Sequence, residues 1–286
     1  MNINYLNFEG TTVFHQGLVP YFSFRNLDRI LWIRNAFSTR LGGVSEGIYG
    51  SMNLNFTRGD DEEKVRRNYE LFGKATGLRP ENMVMAKQTH TTNVLRVNES
   101  HMGMGIVRER NFDDIDGLIT DCPGVVLVTA YADCVPLYFV DTVHKAIGLS
   151  HSGWRGTVNN MAGVTVNKME KEFGTNPADL VAFVGPSICV NCYEVGADVA
   201  DEFAKAYKSE VFDGILSIKD EKNMKFRLNL HEANRKNLLN AGLNPDNIMV
   251  TDVCTCCNPD ILYSHRASRG LRGGLCGFLQ IIDTQL

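Results

Sequence analysis

Residues 124–157 read GVVLVTAYADCVPLYFVDTVHKAIGLSHSGWRGT, and this stretch decides the fold. It contains three strand-like segments, at 125–131, 137–140 and 146–149. The first is a nearly continuous apolar run, which is typical of a strand that is buried on both faces. Cys134 and His151 stand where strand-like runs break into small and polar residues. Because a side chain at the end of a buried strand is held rigidly and faces an opening, both positions suit a metal or catalytic site.

The rest of the chain mixes strand-like and helix-like segments. Further strands are predicted at 12–14, 21–24, 36–39, 82–88, 180–184, 248–253 and 277–282. Apolar residues at helical spacing predict helices at 60–76, 157–173, 195–207 and 230–241. Asp60 and Glu63 have the spacing of a capping box, and Gly77 suits the position after the helix. Because no repeat or linker interrupts these segments, we predict one domain, residues 1–286, in which α and β elements are mixed.

Composition and charge exclude several classes of function. A net charge of −4 over 286 residues gives no electrostatic drive toward nucleic acid or an anionic membrane. No apolar run approaches the ~20 residues of a membrane span, and the first ten residues lack the features of a secretory signal. We therefore expect a cytoplasmic protein whose eight cysteines are free thiols or metal ligands. No obligate protein partner is evident from the sequence.

His90 follows another strand-like segment and extends the candidate site of Cys134 and His151 to three residues. A thiolate with two neutral imidazoles is a familiar ligand set for zinc, and three protein ligands leave a fourth position open. The alternative is that Cys134 is a small buried apolar residue and that both histidines are structural. Because the three residues lie on separate segments, spacing alone favours this alternative.

Arg155 precedes the predicted helix at 157–173, and helix N-termini favour anions through their free N–H groups and their dipole. The alternative is that Arg155 forms an ion pair with an acidic neighbour such as Asp133, and the sequence supports the two interpretations equally.

A second group of cysteines contains Cys189 and Cys192, at C-x-x-C spacing, together with Cys254, Cys256 and Cys257. Within the later cluster only Cys254 and Cys257 have the same spacing. The pattern favours free thiols, with a structural zinc site as the alternative.

Several blocks, in the same order, resemble those of one protein family. They are Phe37 to Ser45, Asn53-Leu54, Gln88-Thr89-His90, Ala132 to Pro136, His151 to Gly156, Gly185 to Ile188, Cys192 to Val195, Cys254-Thr255 and Ser264-His265-Arg266. This sequence is identified on them as a member of the YfiH-like family, also called the multicopper polyphenol oxidoreductase or laccase-domain family. The resemblance covers nearly the whole chain.

The resemblance implies an α+β fold in which mixed β-sheets pack as a sandwich with helices outside. It implies that His90, Cys134 and His151 bind the metal, zinc with copper as the alternative. It also implies a zinc-dependent purine nucleoside phosphorylase that acts on adenosine, inosine, guanosine and methylthioadenosine with phosphate, and that deaminates adenosine. The partners expected on this basis are a purine nucleoside and phosphate.

On this hypothesis the metal ligands and Arg155 form the catalytic set. We expect Arg155, with Arg40 or Arg58, to hold phosphate through bidentate guanidinium contacts. Asn53 and Gln88 are candidates for orienting the ribose or the base. Asp133 and His265 are candidates for the general acid.

The end of the chain departs from the family pattern. The family usually has a second arginine after S-x-R, where this chain has Ala267, and its T-G-R block is not clearly present at 271–274. Arg269 and Arg272 are the candidates to replace the missing arginine.

The alternative function is that of a copper-dependent, laccase-like polyphenol oxidoreductase at the same site. Copper suits thiolate ligation, but a four-copper cluster needs H-x-H pairs and more than the seven histidines present. A site for one metal ion therefore fits this sequence better.

Overall fold

The computed structural model of the protein describes residues 2–7 and 9–282. Residues 1, 8 and 283–286 of the predicted domain lie outside the described residues. The strands are β1 Thr12–His15, β2 Tyr21–Phe24, β3 Ile33–Ser38, β4 Met83–Met85, β5 Val94–Arg96, β6 Gly117–Thr120, β7 Val126–Tyr131, β8 Val135–Asp141, β9 Ala146–Ser152, β10 Leu180–Val184, β11 Glu194–Val195, β12 Leu216–Asp220, β13 Lys225–Leu228, β14 Ile248–Val250 and β15 Leu275–Ile281.

The α-helices are α1 Glu62–Thr76, α2 Trp154–Val158, α3 Met161–Phe173, α4 Ala197–Tyr207, α5 Leu230–Asn240 and α6 His265–Ser268. Short 3-10 helices occupy Gly47–Tyr49, Pro80–Asn82, Glu99–His101, Pro177–Asp179, Lys208–Phe212 and Pro245–Asn247. Within the described residues, no helix is both long enough and apolar enough to cross a membrane.

The strands form two large sheets and a small one. Sheet I has the strand order β1-β2-β3-β15-β7-β4, and sheet II has the order β14-β10-β8-β9-β6-β5. The small sheet III has the order β11-β13-β12. Both large sheets are mixed, because β4 runs parallel to β7, and β5 and β14 run parallel to their neighbours, while the other pairs are antiparallel.

Sheets I and II pack face to face over an apolar core. Phe24 of sheet I stacks on Phe183 of sheet II, with ring centroids 4.0 Å apart. Tyr138 of sheet II donates a hydrogen bond to the carbonyl of Ala36 of sheet I at 3.0 Å. This bond lets the phenol cross the core without leaving a buried polar group unpaired.

Helices cover the outer faces of the two large sheets. Alternate residues of β7 point to opposite faces: Leu127 faces the core between the sheets, whereas Val126 packs in the cluster that contains α1. On the far side, α3, α4 and α5 pack in the cluster that contains the outer face of sheet II. The layers are therefore helix, sheet, sheet and helix. The prediction of an α+β sandwich with helices outside is confirmed, and the burial of β7 on both faces explains its continuous apolar run.

Two helix predictions need correction. The first helix begins at Glu62, because the side chain of Asp61, rather than Asp60, accepts a hydrogen bond from the backbone of Glu63. Its end follows the prediction, since Gly77 adopts φ +73°. The helix predicted at 157–173 is divided into α2 and α3 at Asn160, which has φ +59° and caps α3 through the backbone N–H of Gly163.

The contact between the sheets gives a stability prediction. Phe183→Ala should lower the free energy of unfolding by about 3–5 kcal/mol, because it removes a fully buried ring and leaves a cavity. Urea unfolding measures the change. Phe212→Ala is the control, because the side chain of Phe212 is 62% exposed. Equal unfolding midpoints for the two variants would contradict the role given to the Phe24–Phe183 stack.

Candidate functional site

Three side chains meet at one end of the sandwich, where strands from both sheets terminate. Cys134 lies in the turn between β7 and β8, His151 near the end of β9, and His90 in the loop after β4. Their ligand atoms all lie within 4.8 Å of one another. The His90 and His151 rings are 5.0 Å apart and nearly perpendicular. The structure therefore brings together the three residues that the sequence predicts as metal ligands.

Asp116, at the start of β6, holds two of these ligands in place. One carboxylate oxygen accepts a hydrogen bond from Nδ1 of His151 at 2.8 Å and one from the backbone N–H of His90 at 3.1 Å. The other accepts from the backbone N–H groups of Thr89 and Thr91 at 3.0 and 2.9 Å. A carboxylate on Nδ1 leaves Nε2 of His151 free to bind a metal.

At these residues, nearby charges and hydrogen bonds together shift the pKa values more than burial does. Burial acts to raise the pKa of Cys134, but His151 and His90 lower that pKa to about 6. Burial acts to lower the pKa of His151, but Cys134 and Asp116 raise it to about 9. Burial likewise acts to raise the pKa of Asp116, yet His151 and the backbone of Thr89 and Thr91 hold it below its ordinary value. At neutral pH these shifts favour a thiolate at Cys134 paired with an imidazolium at His151, so a metal ion would bind with release of the His151 proton.

The space between the ligands fits a single metal ion. A Cβ atom on Gly153 would lie 3.0 Å from Sγ of Cys134 and 3.1 Å from Cδ2 of His90. Glycine at this position therefore keeps side chains away from the ligand atoms. A thiolate with two imidazoles suits zinc or copper. The three ligands also line a surface cleft, so a fourth coordination position would face that cleft.

The cleft beside the three ligands is cationic. Arg58, Lys87, Arg110 and Arg272 line it. In the described part of the chain, no carboxylate belongs to its lining. The charge of Lys87 is balanced by Asp113, which lies 2.6 Å away and is not part of the cleft lining. The three arginines are therefore the main source of positive charge in the cleft. Such a cleft attracts an anionic ligand.

Arg272 is the most unusual of these cations. It is only 8% exposed, and one terminal nitrogen donates to the carbonyl of Gly273 at 2.9 Å. Its Nε atom is buried and has no hydrogen-bond partner among the residues that the structure describes. Burial, and then the charge of Arg58, lower the pKa of Arg272 to about 10. An anion in the cleft would relieve both the unpaired donor and the repulsion between the two arginines.

Two residues predicted to contact substrate are hydrogen-bonded within the protein. Arg40 donates to the carbonyls of Gly50 and Pro259 and lies over the ring of Tyr263. Asn53 is fully buried and hydrogen-bonds Asn55, Asp60 and Gly274. Their polar groups already have protein partners and neither residue lines the cleft, so their contact with phosphate or ribose stays a prediction.

Gln88 and Asp133 lie at the site, but their side chains are engaged with the protein. The amide of Gln88 lines the cleft, donating to the carbonyl and accepting from the N–H of Ala130, both at 2.7 Å. The carboxylate of Asp133 accepts from the hydroxyl of Thr255 at 2.6 Å and the backbone N–H of Arg266 at 2.7 Å. These hydrogen bonds fix the positions of both side chains, and their contact with substrate stays a prediction.

Arg155 and His265 lie outside the cleft lining, whereas Arg58 belongs to it. Arg155 is exposed, and its guanidinium lies 4.2 Å from the ring centroid of Trp154. His265 is mostly exposed at the start of α6. Its pKa is lowered, first by the part of the ring that is buried and then by the charge of Arg272. Contact of Arg155 or His265 with substrate in the cleft is not supported by this arrangement.

Sequence reasoning missed Asp116 and gave Arg272 only a secondary place. The available signal for Asp116 was a carboxylate directly before the apolar strand β6. For Arg272 the signal was the departure from the family pattern at Ala267.

The role of Asp116 can be tested through metal affinity. Asp116→Asn should weaken metal binding by about 10–100-fold, because a neutral amide orients and polarises His151 less well than a carboxylate. Competition with a chromophoric chelator measures the affinity. Asp121→Asn is the control, because Asp121 follows the other end of β6 and pairs with Arg96. Equal metal affinity in the two variants would contradict the role of Asp116.

A model of the family described as multi-copper polyphenol oxidoreductase laccase matches residues 34–282. The chain belongs to this family, and the resemblance noted in the sequence is confirmed. The crystal structure of Bacillus licheniformis hypothetical protein YfiH is similar to it with a TM-score of 0.87 and 30% sequence identity. That similarity covers 94% of this chain and 98% of the other.

Two named relatives are also similar along most of the chain. Purine nucleoside phosphorylase from Bacteroides thetaiotaomicron is 38% identical over 244 residues, which cover 85% of this chain and 88% of the relative. Adenosine deaminase RL5, from an unknown prokaryotic organism, is 33% identical over 233 residues, which cover 81% and 87% of the two proteins.

Proposed function

We propose that this protein is a metal-dependent enzyme that acts on purine nucleosides. The observation that carries the proposal is the joining of two features in one cleft: a three-ligand metal site and the buried, partly unpaired Arg272 beside Arg58. The names of the relatives support purine nucleosides as the substrates. Because both sheets contribute to the cleft, we further propose that the chain forms a single catalytic domain.

The first proposed reaction is phosphorolysis of adenosine, inosine, guanosine or methylthioadenosine. Hydrogen phosphate attacks C1′ of the ribose, the glycosidic bond breaks, and the base leaves with the bonding electrons and takes up the proton that the phosphate loses. Arg58 and Arg272 hold the phosphate, because guanidinium groups bind its oxygens through charge-assisted hydrogen bonds. The clamp between Gln88 and Ala130 keeps the cleft wall rigid, so that phosphate and nucleoside meet in a fixed orientation.

The second proposed reaction is deamination of adenosine, in which water adds at C6 of the purine and ammonia leaves. His90, Cys134 and His151 would hold a zinc ion, which supplies a Lewis acid that makes water acidic near neutral pH. Asp116 fixes the orientation of the His151 ring, and Gly153 keeps the ligand atoms accessible. The reaction needs no phosphate, so it separates the role of the three ligands from that of the two arginines.

The test is to incubate purified protein with each nucleoside, with and without phosphate, and to separate the products by chromatography. We expect free base and the corresponding sugar 1-phosphate only when phosphate is present. We expect inosine from adenosine under both conditions. Arg58→Ala protein is a comparison sample and should give less free base with unchanged inosine formation. If metal-loaded protein yields neither free base nor inosine, the proposed function is wrong.

The second candidate is a copper-dependent polyphenol oxidoreductase, favoured by the soft thiolate of Cys134 in the same ligand set. Within residues 2–7 and 9–282, the other potential metal group consists of four cysteines, so no further histidine cluster adjoins His90 and His151. Metal analysis of protein purified without added metal, with oxygen uptake on a phenol, separates the candidates. Copper with oxygen uptake would favour the oxidoreductase. Zinc without oxygen uptake would favour the nucleoside enzyme.

A further inference from the structure

Four cysteines outside the cleft converge from two distant segments. Cys189 and Cys192 lie between β10 and β11, and Cys254 and Cys257 lie between β14 and α6. Their sulfur atoms all lie within 4.8 Å of one another. Cys257 Sγ is 3.4 Å from Cys192 Sγ and 3.9 Å from Cys189 Sγ. Each segment thus contributes one C-x-x-C pair to a common point.

These separations match a metal site better than a pair of disulfides. Four thiolates around zinc, each with a Zn–S bond of about 2.3 Å, lie about 3.8 Å apart at the corners of a tetrahedron. Two disulfides would instead bring the sulfurs of each pair to about 2.05 Å, much closer than the 3.4 and 3.9 Å between Cys257 and its two neighbours. We propose that Cys189, Cys192, Cys254 and Cys257 bind a second zinc ion, in a closed structural site.

The surroundings of the four cysteines suit a closed site. Cys189 and Cys254 are buried, whereas Cys192 and Cys257 are partly buried. The backbone N–H of Cys189 lies 3.2 Å from the sulfur of Cys254 and points to it, as expected for a hydrogen bond to a metal-bound thiolate. Four protein ligands leave no position for water or substrate, so this ion would stabilise structure and take no part in chemistry.

The segments that carry the four cysteines also hydrogen-bond the turn that contains Cys134. Ile188, next to Cys189, donates its backbone N–H to the carbonyl of Asp133 at 3.0 Å. Thr255, next to Cys254, donates its hydroxyl to the carboxylate of the same residue at 2.6 Å. Asp133 precedes Cys134 and has φ +83°, a backbone conformation that residues other than glycine rarely adopt. The second ion would therefore join the two segments that hold this turn.

Metal content tests the proposal on the whole protein, without an activity assay. Zinc, iron and copper are measured by mass spectrometry in protein purified without added metal. We expect about two zinc ions per chain in the wild type and about one in the Cys192→Ser/Cys257→Ser double variant. Cys256→Ser is the matched control, because Cys256 lies in the same segment but outside the group. It should keep about two zinc ions.

A Cys134→Ser variant separates this proposal from the proposed function. It should also contain about one zinc ion, but it should lose the ion of the cleft and keep the four-cysteine ion. Cobalt substitution distinguishes the two remaining ions, because four thiolates give more intense sulfur-to-metal absorption than one thiolate with two imidazoles. We expect intense absorption in Cys134→Ser and weak absorption in the double variant.

A measurement on the wild type covers the case in which the double variant does not fold. Native thiols are titrated before and after incubation with a chelator, and four additional thiols, beyond Cys134, should become reactive as zinc is released. Equal zinc in the double variant and the Cys256→Ser control would overturn the proposal. Iron in place of zinc, or a mass two hydrogens lower that maps to a Cys192–Cys257 disulfide, would also overturn it.

Discussion

Replacing Cys134 by serine should remove the metal ion from the cleft and lower kcat/KM for both nucleoside reactions by about a thousandfold. The thiolate is the only negatively charged member of the ligand set, and it lies between two imidazoles. Lewis-acid catalysis contributes several kcal/mol to transition-state stabilisation, and each ~1.4 kcal/mol corresponds to a factor of ten in rate. Loss of the ion should therefore slow deamination directly, and it should slow phosphorolysis as well, because the ion would add to the positive charge that holds phosphate in the same cleft.

Metal content and kinetics should be measured on the same preparation of Cys134→Ser protein. Cys122→Ser is the matched control, because Cys122 is also a partly buried free cysteine but belongs to neither metal group. The control should keep its metal and its activity. Full activity in a Cys134→Ser protein that lacks the cleft ion would show that the reactions do not depend on this site.

Replacing Arg272 by methionine should weaken phosphorolysis and leave deamination unchanged. A hydrogen bond between a charged group and its partner contributes about 1.5–3 kcal/mol, so the KM for phosphate should rise by about 10–100-fold. Methionine fills much of the same buried volume, and removing a poorly paired buried cation does not by itself destabilise a protein. The readout is the initial rate of base release at varied phosphate, beside the rate of inosine formation without phosphate.

Arg269→Met is the control for this experiment. Arg269 is the other arginine that the sequence offers as a replacement, but it is exposed at the end of α6 and does not line the cleft. Its substitution should leave both reactions unchanged. An equal loss of both reactions in Arg272→Met would indicate a structural role. An unchanged KM for phosphate would remove Arg272 from the proposed phosphate site.

Much of the fold could be predicted because burial leaves a pattern in the sequence. The apolar run of β7 is continuous because this strand is covered on both faces. The apolar residues of α1 are periodic because this helix is covered on one face only. The division between α2 and α3 could not be predicted in this way. It depends on the left-handed backbone of Asn160, which interrupts a helix whose apolar spacing continues across the break.

The site was predictable only in part, because its residues come from separate segments. Spacing alone could not join His90 to Cys134 and His151; the family resemblance did so, and the structure brings their ligand atoms together. Arg40 is predicted to hold phosphate because a guanidinium suits phosphate, and Asn53 is predicted to orient the ribose or the base. In the structure they satisfy buried backbone groups, a demand that a linear sequence does not reveal.

The position of β15 determines when the site can form during protein synthesis. This strand pairs with β3 on one side and β7 on the other, although it follows all the other strands of the described residues. A ribosome adds about 5–20 residues per second, so β3 and β7 wait for many seconds with open edges before their shared partner emerges. Arg272 precedes β15 by three residues and reaches the cleft at the same time. The two open edges are therefore closed, and Arg272 is placed in the cleft, only after β15 has left the ribosome.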